Sequence, residues 1–314
     1  MENINLSAVM TSEELIAFSL RSLYSNAGYS MFRMSKFEEY DFYAKNKDFL
    51  LSNNVITFTD TDGRLMALKP DVTLSIIKSS DVADGQTAKV YYNENVYRVS
   101  RRTKSFKEIM QAGLECIGNI GDDDIAEVIS LAAKSLDVIS ENYVLELSDL
   151  DVVSGVLDVY SVFGTVRAEI LKLLGEKNYF GILDVCEREQ ISNDAARVIG
   201  KLATLYGTAK SVRAELQTFA LTASLKCEID RFVGVLDALA NEGIADKICV
   251  DFSVMNDMNY YNGFAFRGFI EGIPTGILSG GQYDKLMNKM HKSAGAVGFA
   301  VYLDELSKLA KIGG

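Results

Sequence analysis

The stretch Tyr91-Tyr92-Asn93-Glu94-Asn95-Val96-Tyr97-Arg98-Val99-Ser100-Arg101-Arg102, followed by Lys107-Glu108-Ile109-Met110-Gln111-Ala112-Gly113-Leu114-Glu115-Cys116-Ile117-Gly118, reads as two strands joined by a basic loop. Arg98 stands at the end of the first strand, and Gln111 and Glu115 lie four apart on the second. Side chains alternate faces along a strand, so Gln111, Gly113 and Glu115 share one face while Ala112, Leu114 and Cys116 share the other. One face of this strand is therefore built to hold something polar.

Working outward, Thr11-Ser12-Glu13-Glu14 is a capping-box pattern, and Leu15, Phe18 and Leu23 supply an apolar face for a helix that Gly28 can end. Residues 55–59 and 64–68 read as strands around the hairpin signal Asp60-Thr61-Asp62-Gly63, with Pro70 stopping the second just before Asp71. Asp122-Asp123-Asp124 precede Ile125, Val128, Ile129, Ala132, Leu136 and Ile139 at helical spacing, and acids suit a helix N-terminus. A phosphoribosyl-diphosphate loop would need a glycine and a hydroxyl residue after such acids, and none follows. Residues 154–241 are rich in Leu, Ala, Glu and Lys with helical periodicity and no evident chemistry. Residues 248–254 and 261–270 read as strands, so Tyr260 and Tyr261 are expected on opposite faces, with at most one of them lining a pocket directly. Residues 294–298 predict a small-residue strand running into a terminal helix over 299–309. Ser279-Gly280-Gly281-Gln282-Tyr283-Asp284 lets backbone approach a ligand closely, but lacks the Lys-Ser/Thr of a P-loop and the third glycine of a dinucleotide turn.

Composition excludes several classes. The 314 residues are 48% hydrophobic, enough for one large core or two smaller domains. Net charge is −11 and the pI about 4.8, so binding nucleic acid by counterion release has no broad basic surface to use. The positive cluster Arg98, Arg101, Arg102, Lys104 and Lys107 is local, either a solvated loop or an anion or partner contact. Cys116, Cys186, Cys227 and Cys249 are spread apart and no cysteine pairing or cluster with the single His291 suggests a metal site or disulfide framework. His291, between Met290 and Lys292, reads as a surface residue. With no signal peptide and no long apolar span, a cytoplasmic protein away from membranes is expected.

The paired strands resemble motif 2 of the class II aminoacyl-tRNA synthetases, and the Gln-x-Gly-x-Glu ending resembles the histidyl branch. The resemblance extends to Leu68-Lys69-Pro70-Asp71-Val72-Thr73, Asn259-Tyr260-Tyr261-Asn262-Gly263, Gly280-Gly281-Gln282-Tyr283-Asp284 and Gly298-Phe299-Ala300-Val301-Tyr302-Leu303, in the family's order. It implies an α+β fold: a class II synthetase-like core over 1–153 and 242–314, mainly antiparallel sheet flanked by helices, with a helical insertion at 154–241. It also implies a histidine-like pocket: Asp71 and Thr73 for the ammonium, Gln111 for the backbone end, Glu115 with Tyr260 or Tyr261 for the imidazole, and Arg98 as the retained motif 2 arginine.

Departures from the family pattern bear on activity. A synthetase needs cations where charge develops on ATP. Asn256, Gln282 and Glu305 stand where the family carries arginines, Ser100 where motif 2 carries a glutamate, and Asp71 where the pocket glutamate is one methylene longer. The chain also ends at Gly314, where a full synthetase continues into an anticodon-binding domain. This combination looks like the histidyl-synthetase paralogues that serve as regulatory subunits of ATP phosphoribosyltransferase. It implies a non-catalytic chain without cofactor or metal, a homodimer within a hetero-oligomer with the short catalytic subunit, histidine as effector, and no tRNA partner. The alternative is a synthetase-like enzyme adenylating or transferring an amino acid to a non-tRNA acceptor.

Overall fold

The computed structural model describes residues 9–50, 55–80, 82–83, 85–99, 104–255 and 260–306. Helix α1 (Ser12–Asn26) starts at a closed capping box: Thr11 Oγ1 accepts the Glu14 amide at 3.2 Å and the Glu14 carboxylate accepts the Thr11 amide at 2.8 Å. Gly28, at φ +87°, follows its end. The buried stripe is Ala17, Leu20 and Tyr24, whereas Phe18 is 53% exposed. One residue past Ala17, Phe18 is turned about 100° around the helix, off the core-facing line.

Next come β1 (Ser30–Met31), β2 (Phe37–Glu39), α2 (Tyr40–Lys45), β3 (Thr57–Thr59), β4 (Leu65–Leu68) and α3 (Thr73–Ser79). The β3–β4 turn is the expected hairpin, with Asp60 Oδ1 accepting the amides of Asp62 and Arg64. Beyond Pro70 lies the short helix α3, which the sequence reading did not contain; Asp71 Oδ1 accepts the Leu74 amide at 2.9 Å, so Asp71 leaves the proline as a helix-starting residue.

The long strands β5 (Thr87–Val99) and β6 (Phe106–Gly118) lead into α4 (Asp122–Ile139) and β7 (Tyr143–Asp149). The acids 122–124 do begin α4, with Asp124 accepting the Gly121 amide. Then follow α5 (Leu150–Val159), α6 (Gly164–Gly175), α7 (Tyr179–Arg188), α8 (Asn193–Thr204), β8 (Tyr206–Thr208), α9 (Ala209–Gln217) and α10 (Ala223–Asn241). This span is helical as read, except that β8 pairs with a strand of the main sheet. The chain closes through β9 (Ile248–Asp251), β10 (Asn262–Ile270), β11 (Ile273–Gln282), α11 (Asp284–Lys289) and β12 (Gly295–Tyr302). Two expectations fail here. β9 stops at Asp251, and β12 runs through Phe299 to Tyr302 instead of turning helical at 299, because residues 297–301 are held in register on both sides, by β11 and by β6, and Tyr302 by β6.

Among the described residues the main sheet has nine strands in the order β1-β5-β6-β12-β11-β10-β7-β9-β8, antiparallel except for β1/β5 and β7/β9, beside a three-stranded sheet β2-β4-β3. One face of the main sheet carries Ala112, Leu114, Cys116, Leu278, Phe299 and Val301 into a core shared with α1 and α4. α4 lies so close that a Cβ at Gly268 of β10 would come within 2.7 Å of Leu136. The other face is left for the small sheet, α3 and the site. Among the described residues no helix is long and apolar enough to cross a membrane.

Candidate functional site

Strand alternation on β6 holds as read, and the register fixes the rest. Gln111, Gly113 and Glu115 lie opposite Tyr302, Ala300 and Gly298 of β12, and Ala300 and Gly298 lie opposite Ser279 and Gly281 of β11. Glycine, alanine and serine at the centre make a sunken floor. Over it close Asp71, Val72 and Thr73 from the start of α3, Arg98 and Tyr92 from β5, Tyr260 and Tyr261 before β10, and Tyr283 after β11. The resulting cleft holds about 620 Å³ of empty space, open solvent at its mouth included. All of the expected pocket residues, Asp71, Thr73, Arg98, Gln111, Glu115, Tyr260 and Tyr261, line it.

Glu115 is buried at the inner end. Its Oε1 accepts the Thr73 hydroxyl at 2.8 Å and its Oε2 the Tyr283 hydroxyl at 2.5 Å. Gly298 makes room for it, since a Cβ there would overlap Glu115 Oε2 and stand 2.5 Å from the Leu114 carbonyl oxygen. Burial pushes the Glu115 carboxyl up to about 8, opposed by the hydrogen bonds from Tyr283 and Thr73 and reinforced by Asp71. Burial also raises Asp71, against Arg98 and the amides of Leu74 and Thr73. Arg98 Nη2 stands 4.0 Å from Asp71 Oδ2 while its Nε donates to the Pro70 carbonyl at 2.9 Å.

These values set a pH dependence. An acid with its folded pKa raised holds a proton that the unfolded chain has lost, so the folded state loses stability as pH climbs from about 4.5 to about 8. Glu115→Gln, which copies the neutral acid, is expected to remove much of that slope. In urea unfolding it should match the wild type near pH 5 and exceed it above pH 8 by an amount on the order of a few kcal/mol; a parallel pH slope in the two proteins would refute the assignment.

Tyr260 and Tyr261 both reach the cavity. They precede the first residue of β10 instead of lying in it, so strand alternation does not separate them, and their rings meet edge to face at 4.8 Å. Tyr260 also packs against Tyr283 at 5.9 Å. Gly281 admits Tyr261, whose ring would lie 2.7 Å from a Cβ at that position. Residues 100–103 and 256–259, which include Ser100, Arg101, Arg102 and Asn256, lie outside the described residues. Gln282 is turned inward, its Oε1 accepting the Phe264 amide at 3.0 Å, and Glu305 accepts the Thr275 hydroxyl at 2.8 Å. Neither position offers a cation.

Sequence reading did not assign Tyr92, Ser279, Tyr283 or Tyr302 to the pocket. Tyr283 carried a signal, its place in Gly-Gly-x-Tyr-Asp. The other three depend on register: Tyr92 faces the floor because it pairs with Gly113, and Tyr302 because it pairs with Gln111. His291 is exposed in the turn after α11, as expected, and among the described residues no cluster of His, Cys, Asp and Glu could hold a metal.

Comparison with known proteins agrees with this geometry. The chain is 28% identical over 293 residues to the ATP phosphoribosyltransferase regulatory subunit of Caldanaerobacter subterraneus, covering 91% of this chain and 75% of that one. It is 27% identical over 285 residues to the regulatory subunit of Oceanobacillus iheyensis, covering 90% and 70%. A crystal structure described as an ATP phosphoribosyltransferase regulatory subunit/histidyl-tRNA synthetase from Bacillus halodurans superposes with a TM-score of 0.83 at 25% identity, over 95% of this chain and 79% of that one. The histidyl-tRNA synthetase of Nostoc shares the fold at a TM-score of 0.80 and 17% identity, over 96% and 72%. A family model described as histidyl-tRNA synthetase matches residues 6–306, and with the class II-like sheet and its pocket on the page, the chain belongs to the histidyl-tRNA synthetase family.

Proposed function

We propose that this chain is a regulatory subunit of ATP phosphoribosyltransferase, one that activates the short catalytic subunit and carries histidine feedback through the pocket on its sheet. The carrying observation is the split between the two parts of the ancestral site. Acids and hydroxyls suited to an ammonium and an imidazole converge in one cavity, while Gln282 and Glu305 stand where ATP chemistry would need cations. Relatives named as regulatory subunits, similar over nine-tenths of the chain, support the same reading. So does a chain of the ATP phosphoribosyl transferase complex of Thermotoga maritima, which has this fold at a TM-score of 0.71 and 18% identity.

In this reading Asp71 takes the ligand ammonium, Gln111 its backbone end, and Glu115 with the tyrosines its imidazole. Because burial raises the Glu115 carboxyl, a neutral imidazole can meet it with the proton already in place, and the pair can become carboxylate and imidazolium without exchanging protons with solvent. Feedback then requires that histidine bind two states of the assembly unequally, by about 1–3 kcal/mol. The proposal includes a homodimer inside a hetero-oligomer, in the cytoplasm, without tRNA.

The test is phosphoribosyltransferase activity of the short catalytic subunit with and without this chain across a histidine titration. Activation is expected, with histidine inhibition only in the mixture, and with that inhibition lost in Glu115→Ala and Asp71→Ala. Inhibition unchanged in both variants would move the sensor elsewhere. Amino-acid-dependent exchange of pyrophosphate into ATP by this chain alone would instead favour an adenylating enzyme.

A further inference from the structure

Asp71 and Glu115 give the cavity two carboxylates, and among the described residues Arg98 is the cation that lines it. Arg98 is already engaged by the Pro70 carbonyl and lies beside Asp71. An amino acid brings a carboxylate as well as an ammonium, and a partly buried carboxylate is costly without donors aimed at it.

A second guanidinium projects from the same face of the sheet. Arg267 on β10 lies directly opposite Ser279 on β11, Ser279 opposite Ala300 on β12, and Ala300 opposite Gly113 on β6. Residues paired in this way project to one side, so Arg267 rises from the face that floors the cavity, at the level of Gly113 but three strands across the sheet from it and just outside the residues that line the cavity. Ser279 and Tyr302, its neighbours toward the cavity, both line it. Arg267 is half-buried; its stem crosses Gly276, where a Cβ would come within 2.5 Å of Nε, and its guanidinium sits 5.2 Å from the centre of the Phe269 ring. Glu146 lies directly opposite on β7, where Arg267 opposes the rise that burial gives its carboxyl, though among the described residues no ion pair within 4.0 Å closes on Arg267. Burial raises the Tyr302 hydroxyl, and Arg98 and Arg267 oppose that rise from strands on either side of β12. A planar cation stacked on an aromatic ring and not closed into an ion pair is suited to forked recognition of a carboxylate.

We propose that Arg267 binds the carboxylate of the amino acid held in the cavity, leaving Arg98 to position Asp71 for the ammonium. The assignment rests on reading the cavity as an amino-acid site and adds the residue that distinguishes an amino acid from its decarboxylated amine.

The test is calorimetric titration of the full chain with histidine and with histamine, which keeps the imidazole and ammonium and lacks the carboxylate. In Arg267→Gln, histidine affinity is expected to fall about tenfold or more, as for loss of a charge-assisted pair, while histamine affinity stays at the wild-type value and doubles as the check that the pocket is folded. Arg267→Met, which keeps an apolar cover on Phe269, should give the same collapse of the histidine-over-histamine preference and is read instead if the glutamine variant loses histamine as well. A wild-type preference retained in either folded variant overturns the Arg267 assignment alone. Equal loss of both ligands in both variants also overturns it. A wild-type chain that binds neither compound overturns the amino-acid reading and this assignment together.

Discussion

Gly298→Ala is expected to abolish ligand binding and to destabilise the protein by about 3 kcal/mol, the upper range for forcing extra volume into a packed interior. The added methyl would fall on Glu115 Oε2 and within 2.5 Å of the Leu114 carbonyl, and neither can give way cheaply. Leu114 is held in the β5–β6 and β6–β12 ladders, and Glu115 is fixed by Thr73 and Tyr283. Displacing the carboxylate would strand two hydroxyl donors in a buried site. Urea unfolding and histidine calorimetry on the same preparation check both parts. Gly234→Ala is the control: Gly234 lies within α10 with no atom near the position of an added Cβ, so alanine there should stabilise by about 0.5–1 kcal/mol. A Gly298→Ala protein as stable as wild type would mean that the floor of the cavity is not packed as described.

Glu94→Ala should cost at least as much stability, about 3–5 kcal/mol, the range for leaving one member of a buried ion pair alone. Lys69 is fully buried, and its ammonium meets Glu94 Oε2 at 2.8 Å. Burial already lowers the lysine, against the pull of Glu94. With Glu94 removed, the ammonium can escape its cost by losing the proton. A lysine with a lowered folded pKa is stabilised as pH rises, since the unfolded chain then holds the extra proton. The deficit of Glu94→Ala should therefore shrink between neutral and alkaline pH, as read by denaturation at pH 7 and pH 9.5. A deficit that does not change with pH would mean that Lys69 stays charged without its partner. Lys69→Met with Glu94→Gln together should recover most of the loss, because an apolar chain needs no counter-charge.

The parts of the fold legible in the sequence are those governed by local rules. The capping box at Thr11, the Asp60–Gly63 turn and the alternation that put Gln111 and Glu115 on one face all follow from neighbours within a few residues, and each holds. The site residues carried by the resemblance also converge in one cavity, although no local rule could bring Asp71 to Glu115. What escaped depends on pairing at a distance. β12 stays extended through Tyr302 because two strands hold it, against small residues that by themselves gave no reason to continue. Arg267 stood in a run read only as a strand; that it shares a face with Ser279 and the cavity floor is a fact of register. Phe18 shows the opposite limit: an apolar residue within a correct helix still faces solvent, because hydrophobicity does not assign a face without a neighbour to pack on.

The ties between residues 69–71 and β5 act as a mechanical linkage. The Tyr97 amide donates to the Lys69 carbonyl at 2.8 Å, Arg98 Nε grips the Pro70 carbonyl, and Lys69 is pinned to Glu94, so a proline-stiffened segment is fastened along the outer half of β5. Asp71 cannot shift toward a ligand without pulling on the strand that leads into the basic loop. The cavity and the far end of the β5–β6 hairpin are thus geared together, and a molecule of a few heavy atoms seated at Asp71 has a lever whose long arm ends at the protein surface.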